Sequence, residues 1–212
     1  EIMSQIIAGK ASEGIFLASD SLALDFDPQG ELYETEVKRL IPLSSNTAIL
    51  AGGAPEGAKM GERLREFVAG EKLEFIEDVY GAALPFLATE YERYMRKQCE
   101  NLPLDPIHHV HFIMAGRSKE TAEDLYRLHL IWTKKQLPQL DGDEITSVFA
   151  VPRSFRLETK LNRLCQEDTP LQQILSEVKN ALSKLALDQD EIGGPFHFAF
   201  IGQQGFQEVP EP

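Results

Sequence analysis

The sequence predicts an α+β protein, a four-layer αββα sandwich in which two antiparallel sheets stack face to face and a pair of helices covers the outside of each. Strand-like and helix-like hydrophobic periodicity come in blocks rather than in alternation, which argues against a parallel sheet built from βαβ units. The chain has 212 residues, 42% of them apolar, which is enough for a sizeable core. Residues 1–212 are therefore expected to form a single domain.

The first block consists of predicted β-strands. Short runs of apolar and β-branched residues are separated by turn-like peptides such as Ala11-Ser12-Glu13-Gly14 and Ser44-Ser45-Asn46. A polar segment at 25–36 interrupts them and is predicted to be an insertion loop. The strands predicted in this block are 5–10, 14–20, 37–43 and 47–51.

Two helices are predicted after Gly52-Gly53. Apolar residues recur three and four positions apart over 55–69 and again over 74–98, and Pro85 is expected to kink the second helix. The next strands are predicted at 107–116, 125–133 and 145–151, the last of them after a turn at 141–143.

A second helix pair and the closing strands complete the chain. Helices are predicted at 156–164 and 170–187, and the latter has a start signal, because Thr169 is a candidate cap and Gln172 follows three residues later. Strands at 196–201 and 206–209 close the predicted fold.

Composition narrows the class of function. The 21 basic and 34 acidic residues give a net charge of −13, and the basic residues are scattered, which disfavours nucleic acid and anionic membranes as partners. No apolar run approaches the roughly 20 residues of a membrane helix. No signal peptide is visible at the start, and the two cysteines form no CxxC pattern, so we expect a cytoplasmic protein without disulfides.

Three possible ligand sites in the sequence are weak. His109 and His111 share a strand face beside His108, but no third metal ligand is evident. The segment 25–36 spells part of a calcium loop, yet proline and glutamine stand at its fourth and fifth positions. The Gly52-Gly53 segment lacks the ending of a phosphate-binding loop. We therefore expect no metal and no cofactor.

Three short motifs give the chain a family resemblance. Gly14-Ile15-Phe16-Leu17-Ala18-Ser19-Asp20-Ser21 resembles the segment G-[VI]-x-[LIV]-[AS]-x-D-[ST] near the start of proteasome β subunits. Residues 37–41, Val-Lys-Arg-Leu-Ile, and residues 51–54, Ala-Gly-Gly-Ala, are similar to two later motifs of that family, in the same order. The resemblance spans residues 4 to about 201 and implies the fold of N-terminal-nucleophile (Ntn) hydrolases.

The resemblance also implies a catalytic site. Active members attack peptide bonds with an N-terminal threonine whose own α-amine acts as general base. Ser4 stands at the position of that nucleophile, Asp20 at the aspartate, Arg39 at the lysine, and Gly52 at the glycine whose N–H stabilises the oxyanion. The family's assembly implies a ring-like homo-oligomer, with peptide as substrate.

Several positions depart from the family pattern. Arg39 remains protonated at neutral pH, so it cannot act as a neutral amine. The later G-S-G and D-x-x-S-G-G motifs align with residues 152–154 and 189–194, where Ile192 replaces a serine. Met3 precedes Ser4, whose nitrogen is then an amide. Two hypotheses stay open: an Ntn peptide hydrolase, or a degenerate subunit that keeps the fold and assembly but not the chemistry.

Overall fold

The computed structural model describes residues 4–26, 29, 31–99, 109–119, 125–133 and 139–212. Two five-stranded antiparallel sheets stack between two helix pairs, so the predicted α+β sandwich is confirmed. The strands are β1 (Ile6–Ala11), β2 (Gly14–Ser19), β3 (Leu22–Phe26), β4 (Leu32–Glu36), β5 (Leu40–Pro42), β6 (Thr47–Gly53), β7 (Val110–Arg117), β8 (Tyr126–Trp132), β9 (Asp141–Ile145), β10 (Phe149–Val151), β11 (His197–Gly202) and β12 (Gly205–Val209). The helices are α1 (Glu56–Glu71), α2 (Ile76–Cys99), α3 (Phe155–Gln166) and α4 (Leu171–Asp188).

Each sheet joins strands from distant parts of the chain. The first sheet has the order β10-β1-β2-β11-β12, and the second has the order β5-β6-β7-β8-β9. In the first sheet, Ile6 pairs with Ser19 on one side and with Val151 on the other. In the second, Gly53 pairs with Val110. The start of β1 and the end of β6 therefore belong to different sheets, and the stacking of the sheets brings them together.

The core has three apolar layers because both faces of the sheets are buried. Along β7, Phe112 and Met114 pack against α1 and α2, whereas Ile113 and Ala115 face the other sheet. Along β1, Ile7 packs towards α3 and α4 while its neighbour Ile6 faces the second sheet. Strands buried on both faces have nearly continuous apolar sequences, and this is why the strand blocks could be recognised.

Four local predictions were wrong. The segment 25–36 is not a plain loop, because β3 and β4 pair as a separate antiparallel hairpin. Asp141-Gly142-Asp143 is not a turn but the start of β9, and the single strand predicted at 145–151 is two strands in different sheets. Thr169 is not the cap of α4, since Pro170 directly precedes the helix and no side chain caps it.

No helix in the described part of the chain combines the length and apolar character needed to cross a membrane.

Candidate active site around Ser4

Ser4 lies just before β1 and is fully buried. Side chains two residues apart along a strand lie on the same face, so Ser4 shares its face with Ile6 and Ala8, which point into the layer between the sheets. The Gly53 N–H at the end of β6 donates a hydrogen bond to Ser4 Oγ, with an N–O distance of 2.7 Å. A Cβ placed on Gly52 would lie 3.4 Å from the same oxygen. The end of β6 thus packs its bare backbone against the serine hydroxyl.

Gly53 has a conformation that only glycine adopts readily. Its φ is +84°, and a Cβ at this position would lie 2.2 Å from the backbone oxygen of His109. Backbone at this position cannot shift without disturbing the β6–β7 pairing. Gly53 is therefore required to direct its N–H at Ser4.

This requirement predicts the effect of Gly53→Ala. We expect the substitution to lower the free energy of unfolding by about 3 kcal/mol or more, because it adds left-handed strain and a backbone clash. Gly81→Ala is the matched control: Gly81 is an exposed residue inside α2 with open space at its Cβ, so alanine should stabilise the chain by roughly 0.5–1 kcal/mol. Urea unfolding of both variants measures the contrast, and equal effects would contradict the geometry described for Gly53.

Asp20 holds the backbone beside Ser4. It follows β2 directly, and its Oδ1 accepts a hydrogen bond from the Gln5 N–H at 2.9 Å. The Asp20 N–H donates in return to the Gln5 carbonyl oxygen at 3.1 Å. These two bonds extend the β1–β2 ladder by one step and fix the residue that follows Ser4.

Arg39 joins three parts of the site. It lies just before β5 and is the largest fully buried side chain in the described residues. Its Nε forms an ion pair with Asp20 Oδ1 at 3.3 Å. Its Nη1 donates to the Gly53 carbonyl oxygen at 3.3 Å, and its Nη2 donates to the Leu22 carbonyl oxygen at 2.8 Å. One guanidinium therefore connects Asp20, the end of β6 and the base of the β3–β4 hairpin.

Burial decides the electrostatics of this pair. Loss of water raises the pKa of Asp20 to about 6, and the opposing effects of the Arg39 charge and the Gln5 N–H only partly offset it. Burial also lowers the pKa of Arg39, while the Asp20 charge acts in the opposite direction. The guanidinium remains charged at neutral pH because its ordinary pKa is far above 7. Arg39 can thus set the local field but cannot accept a proton from Ser4.

The adjacent residue Lys38 points away from the site. Its ammonium group pairs with Glu208 at 2.7 Å, and both side chains are about half exposed. Lys38 therefore does not replace the lysine that the resemblance implies at the position of Arg39.

The two later motif segments, residues 152–154 and 189–194, both reach residues that flank the site, but Ser154 lies elsewhere. The Pro152 carbonyl oxygen accepts a hydrogen bond from Gln5 Nε2 at 3.2 Å, and the Gly193 carbonyl oxygen accepts from the N–H groups of Ser21 and Leu22. Both segments thus support residues that flank the site. Ser154, in contrast, lines a groove between α3 and α4.

The structure brings Ser4, Asp20, Arg39 and Gly53 into one buried group, named the Ser4 cluster below. Gly52 lies against Ser4 Oγ, and its predicted oxyanion role stays a prediction. Sequence reasoning missed Gly53 and Gln5, which act through backbone N–H groups. The only sequence signal for Gly53 was the glycine pair itself, since a backbone donor leaves no side-chain pattern.

The weaker ligand alternatives gain no support from the geometry. The ring centroids of His109 and His111 are 6.4 Å apart, and burial lowers the pKa of His111 to about 4. His108 and part of the calcium-like segment lie outside the described residues. Among the residues that are described, no group of three or more acidic, histidine or cysteine side chains could hold a metal ion.

Comparison with known proteins shows likeness in structure only. No protein-family model matches the chain, and no curated protein does. Among solved structures, an Anbu mutant from Hyphomicrobium sp. strain MC1 is 13% identical with a TM-score of 0.70, covering 99% of this chain and 86% of its own. Anbu from Yersinia bercovieri, described as an ancestral beta-subunit, is 14% identical with a TM-score of 0.68, covering 97% and 86%. A structure described as a helical assembly of the Anbu complex from Pseudomonas aeruginosa is 14% identical with a TM-score of 0.71 and the same coverage.

These matches correct the family suggested by the motifs. The motifs resemble those of proteasome β subunits, but the three solved structures described above are Anbu proteins, so the β-type assignment is wrong. The motifs misled because they cover parts of strands β2, β5 and β6 and the residues beside them, which are features of the shared fold. At 13–14% identity the likeness establishes the architecture. The chain has the proteasome-like Ntn-hydrolase fold.

Proposed function

We propose that this chain is a subunit of a self-assembling complex and that its Ser4 cluster is a hydrolytic centre that is latent while Met3 is attached to Ser4. The observation that carries the proposal is the 2.7 Å hydrogen bond from the Gly53 N–H to the fully buried Ser4 Oγ, beside the Asp20–Arg39 pair. A nucleophilic serine needs its hydroxyl oxygen held in a fixed position, and the hydrogen bond from the Gly53 N–H holds Ser4 Oγ in this way.

Each member of the cluster has a role in this proposal. Ser4 Oγ attacks a peptide carbonyl, and the backbone at Gly52 and Gly53 supplies N–H groups for negative charge that develops at the reacting oxygens. The positive charge of Arg39 lies within the same buried region and favours that negative charge. Asp20 orients Arg39 and the Gln5 N–H, so it acts through them rather than on the substrate.

Among the described residues, no side chain accepts a hydrogen bond from Ser4 Oγ, so the cluster holds no base in contact with the hydroxyl. The Ser4 nitrogen is an amide when Met3 precedes it, and Arg39 is already protonated. A free α-amine on Ser4 would supply a base with a pKa of about 8. The proposed substrate is a peptide bond, and the proposed activating step is exposure of the Ser4 amine.

The catalytic part of the proposal is tested by exposing that amine. A chain whose first residue is Ser4 should hydrolyse short peptide amides weakly, and the same chain with Ser4→Ala should not. Inactivity of both would leave the alternative role, a degenerate subunit that contributes only to assembly.

Self-assembly is the second part and has its own test. An outer helix layer with exposed apolar side chains supports it, as does the similarity to the structure of a helical assembly of the Anbu complex. We expect light scattering to give a mass well above that of a dimer of the 23.8 kDa chain. A monomer mass at all accessible concentrations would exclude this part.

A further inference from the structure

A row of four residues crosses the second sheet beside Ser4. Gly52 on β6 pairs with His111 on β7, and Trp132 on β8 pairs with Asp141 on β9. The register of β7 with β8, continued by one step, places His111 beside Trp132. These four residues, Gly52, His111, Trp132 and Asp141, are named the His111 row below.

The His111 row faces the layer between the two sheets. Side chains an even number of residues apart along a strand lie on one face, and Ile113 on β7 and Ile145 on β9 belong to the core of that layer. Gly52 is the end of the row nearest to the candidate nucleophile, since a Cβ there would lie 3.4 Å from Ser4 Oγ. The row therefore begins at Ser4 and leads away from it across the sheet.

Two polar atoms of the row have no partner. His111 Nε2 and Asp141 Oδ2 are buried, and neither forms a hydrogen bond with a described residue. Both residues are partly exposed, so the row is not sealed inside the sandwich. Because buried polar atoms of native proteins are generally satisfied, these two atoms are free to contact a bound molecule.

Trp132 lies between these two groups, and its indole ring is held in place. The indole N–H donates a hydrogen bond to Asp143 Oδ2 at 3.0 Å. The ring also packs against the core between the sheets while remaining partly exposed. A fixed aromatic ring beside a carboxylate without a partner binds a cation well, through the π-electrons and through charge-assisted hydrogen bonds.

The charges of the row favour a cationic ligand. Burial, and to a smaller extent the neighbouring His109, lowers the pKa of His111 to about 4, so this imidazole is neutral at pH 7 and does not repel a cation. An acidic side chain in the same place would be repelled by the Asp141 carboxylate. Among the side chains of a peptide, those of lysine and arginine carry the charge that fits.

The spacing of the strands sets how far this cation lies from the cleaved bond. Neighbouring strands are about 4.8 Å apart, so Asp141 lies about 14 Å from Gly52 across three strand spacings. An extended peptide covers about 3.4 Å per residue, so about four residues span that distance. A long cationic side chain covers part of it, which places its residue about two or three positions from the bond that Ser4 attacks.

We propose that Trp132 and Asp141 form a subsite for a lysine or arginine side chain of the substrate, and that His111 binds the peptide backbone between this subsite and Ser4. The substrate class of the site is then a peptide with a cationic residue near the cleaved bond. This inference rests on the proposed hydrolytic function of Ser4 and adds a specificity to it.

Peptide binding tests the subsite without any turnover. The protein is the chain that begins at Ser4 and carries Ser4→Ala, and the probes are fluorescein-labelled alanine hexapeptides with a single lysine, norleucine or glutamate at each position in turn. Fluorescence anisotropy should give a dissociation constant about 10-fold lower for the best lysine peptide than for its norleucine counterpart, and the highest value for glutamate. Equal binding of lysine and norleucine peptides at every position, or no binding of any peptide, would overturn the proposal.

Asp141→Asn should remove the preference for lysine, because it neutralises the carboxylate and keeps the shape of the side chain. Glu144→Gln is the matched control: Glu144 also lies on β9, but it points to the opposite face and pairs with Arg127 at 3.1 Å. The control should keep the preference, and circular dichroism checks that both variants are folded. A lysine preference that survives Asp141→Asn would contradict the assignment.

His111 is tested by its effect on all the peptides. His111→Leu should raise every dissociation constant by about 3–10-fold, whatever the variable side chain, because the lost imidazole contacts the backbone. His111→Gln keeps a hydrogen-bonding group and should restore most of the binding. Unchanged binding to His111→Leu would exclude this residue from the site.

Failure of the proposed function gives a different result. If the chain that begins at Ser4 is inactive but the lysine preference is found, hydrolysis is rejected and the peptide subsite stands. If that chain is active, Asp141→Asn should raise KM for the lysine peptide about 10-fold and leave kcat nearly unchanged, as the loss of uniform binding does. Activity with the same KM for lysine and norleucine peptides would reject the subsite and leave hydrolysis standing.

Discussion

A chain that begins at Ser4 is expected to hydrolyse fluorogenic peptide amides about 10²–10⁴-fold faster than the chain in which Met3 precedes Ser4, since this is the usual contribution of a general base. The two forms share the buried hydroxyl, the Gly53 N–H and the Asp20–Arg39 pair, so the free amine is the chemical difference between them. The absolute rate should remain low, because arginine cannot shuttle a proton where the resemblance implies lysine.

Two controls separate this effect from contamination and from misfolding. Ser4→Ala in the shorter form should remove the gained activity, because the attacking oxygen is gone. Its unfolding midpoint in urea should stay close to that of the parent shorter chain. Equal, Ser4-dependent hydrolysis by the longer and shorter forms would show that another group serves as the base.

Replacement of Arg39 by methionine is expected to lower the free energy of unfolding by about 3–5 kcal/mol, the usual cost of removing one partner of a buried ion pair. The change leaves the Asp20 carboxylate without its cation and leaves the carbonyl oxygens of Gly53 and Leu22 without these donors. Unsatisfied buried acceptors add to the cost. Arg39→Lys should be intermediate, since lysine keeps the charge but not the planar set of donors.

The neighbouring residue provides the matched control for this experiment. Lys38→Met removes an ion pair with Glu208 in which both side chains are about half exposed, and such pairs contribute less than about 1 kcal/mol. Urea unfolding, analysed with one m-value for all the proteins, gives the change in the free energy of unfolding caused by each substitution. If Arg39→Met costs no more than Lys38→Met, the buried guanidinium does not hold the site together.

The sequence predicted the layers well because strand and helix periodicities are strong where both faces of a sheet are buried. It failed at β9, where Asp141-Gly142-Asp143 has the composition of a turn. The glycine at position 142 is needed for packing and does not mark a turn, because a Cβ there would lie 2.0 Å from the Tyr80 hydroxyl oxygen. Its strand conformation comes from pairing with Ile131 in β8, which is a long-range contact that local propensity does not contain.

The part of the candidate site that consists of side chains could be predicted from the sequence. Ser4, Asp20 and Arg39 were selected from the motifs, and the structure places them together. The donor to Ser4 was not selected, because the Gly53 N–H is directed by a φ of +84° and by the approach of His109 across the β6–β7 pair. Backbone geometry of this kind depends on tertiary packing, which a single sequence does not reveal.

The central claim is that Ser4 Oγ is a nucleophile that needs only its own amine to react. Treatment of both forms with a β-lactone, followed by mass spectrometry of the peptides, tests it most directly, because acylation adds a fixed mass to the reacting residue. We predict acyl-Ser4 in the chain that begins at Ser4 and an unmodified Ser4 in the chain that begins before it. An unmodified Ser4 in the shorter, folded form would contradict the claim.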